Sequence, residues 1–121
     1  MSVAWVACDV VIPWTSGFDG SRWPAGKIAW WEQSVALLFG GITPVARGQG
    51  GLWRAPNAAV RTSPLVRDTQ DLFRIAVPGD AVPLLREFMR FTCAYFEQEQ
   101  LYFQVGSQVE FIDNPLGWPP P

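Results

Sequence analysis

Residues 3–12, VAWVACDVVI, alternate between two sets: Val6, Cys8, Val10 and Ile12 on one face, Val3, Trp5, Ala7, Asp9 and Val11 on the other. Both sets are mostly apolar, which predicts a central strand covered on both sides and ended by Pro13. Residues 14–26, WTSGFDGSRWPAG, predict a loop by their Gly, Pro and Ser content, and Trp14, Phe18 and Trp23 make it a loop that packs down. From Lys27 the spacing becomes helical. Ile28, Trp31, Val35, Leu38 and Phe39 form the buried stripe of a helix over 27–39, and Gly40-Gly41 stop it because glycine accepts the left-handed backbone. Trp30 and Leu37 stand off that stripe, as a second contact surface.

Residues 42–55 begin extended, loosen over 47–51 and resume at Leu52-Trp53-Arg54. The Gly-rich stretch 48–51 lacks the lysine and following helix of a phosphate loop and reads as a bulge or flexible loop. Pro56-Asn57 signals a turn, and a second extended arm follows over 58–66 and continues through 72–77. Asp80 is placed as N-cap of a second helix over 81–97, with Pro83 in its first turn and Leu84, Leu85, Phe88, Phe91, Thr92 and Tyr95 on its buried side. Two strand-like runs, 101–105 and 108–112, flank Gly106-Ser107 and predict a tight hairpin with Tyr102 opposite Phe111. NPLGWPPP, at 114–121, reads as an extended polyproline-like tail.

The order is strand, helix, strand, strand, helix, strand, and one further hairpin strand. It predicts an α+β chain with a ferredoxin-like βαββαβ sandwich: two helices on one face of an antiparallel sheet, plus an extra C-terminal hairpin strand. Residues 1–113 are one domain and 114–121 a Pro-rich tail. Two helices cover one sheet face. The apolar character of the other predicts a partner, a second copy making a homodimer or higher oligomer.

Composition changes this picture in three ways. Seven tryptophans in 121 residues exceed what one small core hides, so some line an interface or a pocket for a small apolar or aromatic ligand. The charge is −2 and the nine basic residues are scattered, which argues against a nucleic-acid partner. There is no histidine, which removes the commonest general base and most transition-metal sites; no metal and no cofactor is predicted. Cys8 and Cys93 lie in apolar runs and read as buried reduced thiols, consistent with a cytoplasmic location. The first residues lack the basic start of a signal peptide, and no stretch of about 18 apolar residues exists to span a membrane.

Phe39-Gly40-Gly41-Ile42-Thr43, the segment from Gly50 to Trp53-Arg54, Ser63-Pro64-Leu65-Val66 and Gln98-Glu99 together resemble a family of small bacterial α/β proteins of uncharacterised function. Its pattern is F-G-G-x-T, then G-x-W, then Q-E before the last strand. The resemblance spans about residues 30–112 and implies a ferredoxin-like sandwich without implying an activity. Such domains are similar to cargo of bacterial mobile elements such as integron cassettes.

Candidate chemistry is sparse. Asp9 interrupts an apolar strand, where a carboxylate is costly unless paired; it reads as the partner of an arginine, across a dimer interface, or as a buried acid. Glu97 and Glu99 close the second helix near Tyr102, where burial would make a carboxylate a general base and solvation would leave it a surface ion. Trp53 and Arg54 could line a pocket, although alternation puts them on opposite faces. Trp30 and Trp5 are further ligand-contact candidates, and the Trp30-Trp31 pair reads as core plus interface or as an aromatic cage for a cation. Glu32 reads as a solvated flank.

Two functional classes follow: a homo-oligomeric binding module with a Trp-lined cleft, or a small enzyme without histidine or metal using Glu99 or Asp9 as base beside Tyr102 or an arginine. An adaptor acting through the Pro-rich tail is the third.

Overall fold

The computed structural model describes residues 4–54 and 65–119. The Pro56-Asn57 turn and most of the arm after it lie outside the described residues. The strands are β1 (Trp5–Pro13), β2 (Thr43–Arg54), β3 (Leu65–Pro78), β4 (Gln100–Val105) and β5 (Gln108–Asp113); the helices are α1 (Lys27–Phe39) and α2 (Val82–Tyr95). The five strands form one sheet in the order β2-β3-β1-β4-β5, antiparallel at every pairing. The chain is thus α+β, with β1 in the middle as its pattern predicts. None of the described helices is long and apolar enough to cross a membrane.

Period-two alternation sets which half of each strand meets the helices. Cys8, Val10 and Ile12 of β1, Phe73, Ile75 and Val77 of β3, and Leu101 and Phe103 of β4 are buried in one cluster with Trp31 and Val35 of α1 and Leu85, Met89 and Cys93 of α2. The other face is open, which corrects the expectation that β1 is covered on both sides: Trp5 is 67% exposed and Ala7 is exposed. Both helices lie on that same face, α1 over β3 and α2 over β4 and β5, so no described helix covers the alternate set. The hairpin forms as expected. Tyr102 pairs with Phe111 on the open face, their rings 5.9 Å apart and edge-on.

The helices depart from expectation at single positions. On α1 Trp31 and Val35 are buried and Ile28 and Phe39 pack against the core as expected, whereas Leu38 faces out. The cap of α2 also differs. Asp80 lies in a single 3₁₀ turn, Gly79–Ala81, and the helix begins at Val82 without a side-chain cap, because the Val82 N–H already donates to the Gly79 carbonyl. The buried stripe of α2 runs through Val82, Leu85, Met89, Thr92 and Cys93, leaving Leu84 and Phe91 exposed. Arg86 reaches from α2 to Glu110 of β5 with two hydrogen bonds of 2.9 Å, a fork that ties the helix to the last strand. The tail turns back on the domain: Asn114 is buried and donates to the Gln98 carbonyl at 3.0 Å, and Trp118 meets the Phe18 ring edge-on at 6.1 Å.

Both cysteines are buried and unpaired with each other. Cys93 Sγ donates to the carbonyls of Gln98 and Ile112, and burial pushes its pKa up from 9.0 to about 12. Burial raises Cys8 as well, with the Asp9 charge adding to the effect. The unfolded chain therefore releases the Cys93 proton near pH 9 while the folded chain keeps it. Stability falls as pH rises between those two values, by about 1.4 kcal/mol from pH 8 to pH 10 for this group alone. Urea titrations at the two pH values test this, with Cys93→Ala as the control that removes this share of the difference and leaves that of Cys8.

Candidate functional site

The loop between β1 and α1 builds the site because it is pinned at several points. The Trp14 N–H donates to the Thr69 carbonyl at 2.8 Å and the Trp23 N–H to the Trp14 carbonyl at 3.1 Å, folding 14–23 back on itself. Gln98, buried beyond the end of α2, donates through Nε2 to the carbonyls of Thr15 and Phe96 at 2.8 and 2.7 Å. The Gly17 N–H donates to the Glu97 carbonyl at 2.8 Å. The indole N–H of Trp23 donates to the Pro13 carbonyl at 3.0 Å. Aromatic residues in a glycine-rich loop are thereby held as walls.

Those walls enclose an open cleft of about 340 Å³, lined by Trp14, Trp23, Arg22, Arg47, Glu32 and Asp71 with the apolar residues Pro24, Ala25, Ile28 and Ala29. Its volume lies at the small end of the range for small-molecule sites. Asp71 is its buried anchor. It accepts from Trp14 Nε1 at 2.9 Å, from the Gly48 N–H at 2.9 Å and from Arg47 Nη1 at 3.4 Å. Arg47 also spans Glu32 with two contacts of 3.1 Å and lies 5.5 Å above the Phe73 ring. Arg22 stands 4.9 Å over the Trp14 indole.

The Gly-rich stretch of β2 explains how Arg47 and Gly48 both reach Asp71. The pairing with β3 slips between Ala46 and Gln49, a bulge, and Gly48 takes φ +66°, a backbone conformation that glycine adopts without strain. The expectation of a bulge at this stretch is met.

Beside the cleft, Lys27 Nζ lies 4.2 Å from the Trp23 ring, 4.3 Å from Tyr95 and 5.7 Å from Phe96. Burial pushes its pKa down, opposed by the charge of Glu97.

The residues singled out from sequence lie elsewhere. Asp9 is on the open sheet face, gripped by Arg74 of its own chain through Nε at 2.8 Å and Nη2 at 3.0 Å, so it is a paired surface ion rather than a buried acid. Tyr102 is on the same face and donates to Gln104 Oε1 at 2.9 Å. Glu99 precedes β4, with one carboxylate oxygen buried and unpartnered among the described atoms. These three do not converge on the cleft. Trp5 stands on the open face. Trp30 packs on Tyr95 at 5.4 Å, next to the Lys27 recess. Trp53 and Arg54 close β2, and their side chains lie outside the described residues. Sequence reasoning missed Arg22, Arg47 and Asp71 as site residues, took Glu32 as a solvated flank, and saw Trp14 and Trp23 only as packing groups. The one cue was Asp71, a carboxylate in phase with the buried Phe73, Ile75 and Val77. Among the described residues no group of three or more metal-ligating side chains gathers.

No family model matches the sequence, and no curated protein matches it. Among solved structures the fold is similar to that of a phage SAM lyase in complex with S-methyl-5'-thioadenosine. The TM-score is 0.67 at 11% identity, over 93% of this chain and 92% of that chain. Likeness at that identity speaks for a shared fold and transfers no residue.

Proposed function

We propose that this chain is a small binding module that self-associates through its open sheet face and holds, in the Trp14–Trp23 cleft, a flat ligand with a polar edge, of the adenosyl thioether or sulfonium class. Its frame reads as ferredoxin-like with one added strand, since β2-β3-β1-β4 carries the split βαβ order and β5 extends the β4 edge. The observation that carries the reading is the cleft itself: two pinned indoles beside paired arginine and carboxylate groups, on a fold similar to one solved with S-methyl-5'-thioadenosine. Indole faces suit a purine, and the carboxylate oxygens of Glu32 suit ribose hydroxyls. Titration with S-methyl-5'-thioadenosine, followed by tryptophan fluorescence and melting temperature, is expected to show saturable binding. Ligand at 100 times its Kd adds about 2.7 kcal/mol of stability. Millimolar nucleoside with neither response sinks the reading.

The second reading is a small enzyme without histidine or metal, favoured by the likeness to a lyase. The cleft carboxylates are both engaged by Arg47, which leaves no free base there and puts binding first. Release of S-methyl-5'-thioadenosine from S-adenosylmethionine above the buffer rate, read by chromatography, would reverse that order.

Self-association rests on the open face, where Trp5, Val11, Leu72, Tyr102 and Phe111 make an apolar surface around the Asp9–Arg74 pair. Trp5 and Phe111 are 67% and 53% exposed, large apolar side chains on the sheet face that no helix covers. Light scattering is expected to give a multiple of the chain mass, and Phe111→Asp to give single chains with an unchanged core. A parent protein that is monomeric at micromolar concentration defeats this part. Two buried thiols suit a reducing, cytoplasmic setting.

A further inference from the structure

Lys27 is the single lysine of the chain, and it sits where an ammonium is least welcome. It opens α1, at the positive end of the helix dipole, and burial pushes its pKa down. Among the described residues no carboxylate forms an ion pair with it. What holds it is a cup of three rings, Trp23 and Tyr95 at 4.2 and 4.3 Å and Phe96 at 5.7 Å.

The cup is built from outside. Trp23 is fixed by its hydrogen bond to Pro13 and by the Phe96 ring at 5.8 Å. Phe96 is fully buried and meets Tyr95 at 5.1 Å, the planes 74° apart. Tyr95 is stacked on Phe91 at 5.4 Å and flanked by Trp30 at 5.4 Å. None of these contacts needs Lys27, so the cup outlasts its removal. The Trp23 indole also lines the cleft, and Pro24, Ala25 and Ile28, which flank Lys27 in sequence, line it too.

We propose that the recess of Trp23, Tyr95 and Phe96 is a subsite for a weakly hydrated organic cation, a sulfonium or methylated ammonium, and that Lys27 fills it as the chain's own stand-in until such a cation displaces it. The chemistry favours exchange. A primary ammonium regains strong hydration when it swings into water, whereas a sulfonium or methylated ammonium loses little water on entering an aromatic cup. The inference deepens the binding reading and rests on it for a ligand that spans cleft and cup.

The probe is trimethylsulfonium, with tert-butanol as the neutral control of similar shape. Lys27→Ala is expected to bind trimethylsulfonium about ten-fold more tightly than the parent, because the competing ammonium is gone and the cup is empty. Trp23→Leu in that background is expected to remove the binding, and tert-butanol to bind neither protein measurably. A second measurement needs no substitution. Protein labelled with 13C-lysine gives one Cε signal, because Lys27 is the single lysine, and leaves the primary ammonium as it is. Ring currents are expected to displace it upfield, and saturating trimethylsulfonium to return it to its solvent position. A folded Lys27→Ala protein with no preference for the sulfonium over tert-butanol overturns the proposal, as does a Cε signal that stays in place under saturating probe. Neutral S-methyl-5'-thioadenosine reports on the cleft alone. If it binds while the sulfonium does not, the cup falls and the cleft reading stands; if the sulfonium binds and the nucleoside does not, the cup stands and the cleft reading falls.

Discussion

Trp31→Ala is expected to lower the unfolding free energy by about 4 kcal/mol. Trp31 has no exposed surface, and its ring packs against Phe73 at 5.3 Å and Phe96 at 6.0 Å. Its indole N–H donates to Thr92 Oγ1 at 3.0 Å, and that hydroxyl donates on to the Phe88 carbonyl at 2.8 Å. Alanine removes the bridge between α1, α2 and β3, opens a cavity the size of an indole, and strips an acceptor-bound donor from a buried hydroxyl network. Domains of this size have roughly 5–15 kcal/mol in total, so the variant is left close to the unfolding threshold. Trp31→Phe keeps most of the volume and loses the N–H, for about 2 kcal/mol. Urea unfolding with an unchanged m-value reads both. Equal losses for the two variants would mean that ring volume is not what holds the helices to the sheet. Trp30→Ala, next in sequence, removes a half-exposed ring and is expected to cost less than either.

That pair shows what is legible in a pattern. Helical spacing separates Trp31 from Trp30 because the core side of α1 is a local property of the chain. Alternation likewise separates Cys8, Val10 and Ile12 from Trp5 and Ala7, and Gly106-Ser107 fixes the last hairpin and the Tyr102–Phe111 pairing. The cleft is not local. Trp14 and Asp71 are 57 residues apart and meet only through the β1–β3 register, in which Ile12 lies opposite Asp71. Gln98 reaches Thr15 across 83 residues. No window of sequence contains such a contact. The weight given to Trp53-Arg54 and to the Glu97–Glu99 segment followed residue type, and residue type does not say which side chains a register brings together. Asp71 carried the one signal: a carboxylate on the buried phase of a strand must have partners, and those partners mark a built site. Asp9 carried the same signal on the opposite phase, where Arg74 answers it in the neighbouring strand.

Asp71→Ala follows from that difference and is expected to cost about 3 kcal/mol, together with a loss of nucleoside binding of ten-fold or more. Three donors lose their acceptor at once: the Trp14 indole, the Gly48 amide and one arm of Arg47. Arg47 is half exposed and retains Glu32, so its stranded charge is rehydrated and the penalty stays at the low end for a broken buried pair. The half-buried Trp14 lines the cleft directly, and the exposed bulge at Gly48 carries Arg47 into it, so losing the acceptor loosens both. Asp71→Asn separates the effects. Its carbonyl oxygen still accepts from Trp14 and Gly48, while its amide faces Arg47 with a donor in place of a charge. The walls are therefore expected to stay, with a stability loss of about 1–2 kcal/mol, and binding to fall less than in the alanine variant. Arg22, over the Trp14 ring and free of Asp71, supplies the control: Arg22→Ala is expected to weaken binding with little change in melting. Equal binding by the parent and Asp71→Ala, with Trp14 demonstrably displaced, would mean that the ligand does not use this cleft. A loss confined to Asp71→Ala, with Asp71→Asn and Arg22→Ala graded between, would tie recognition to the indole that the carboxylate positions.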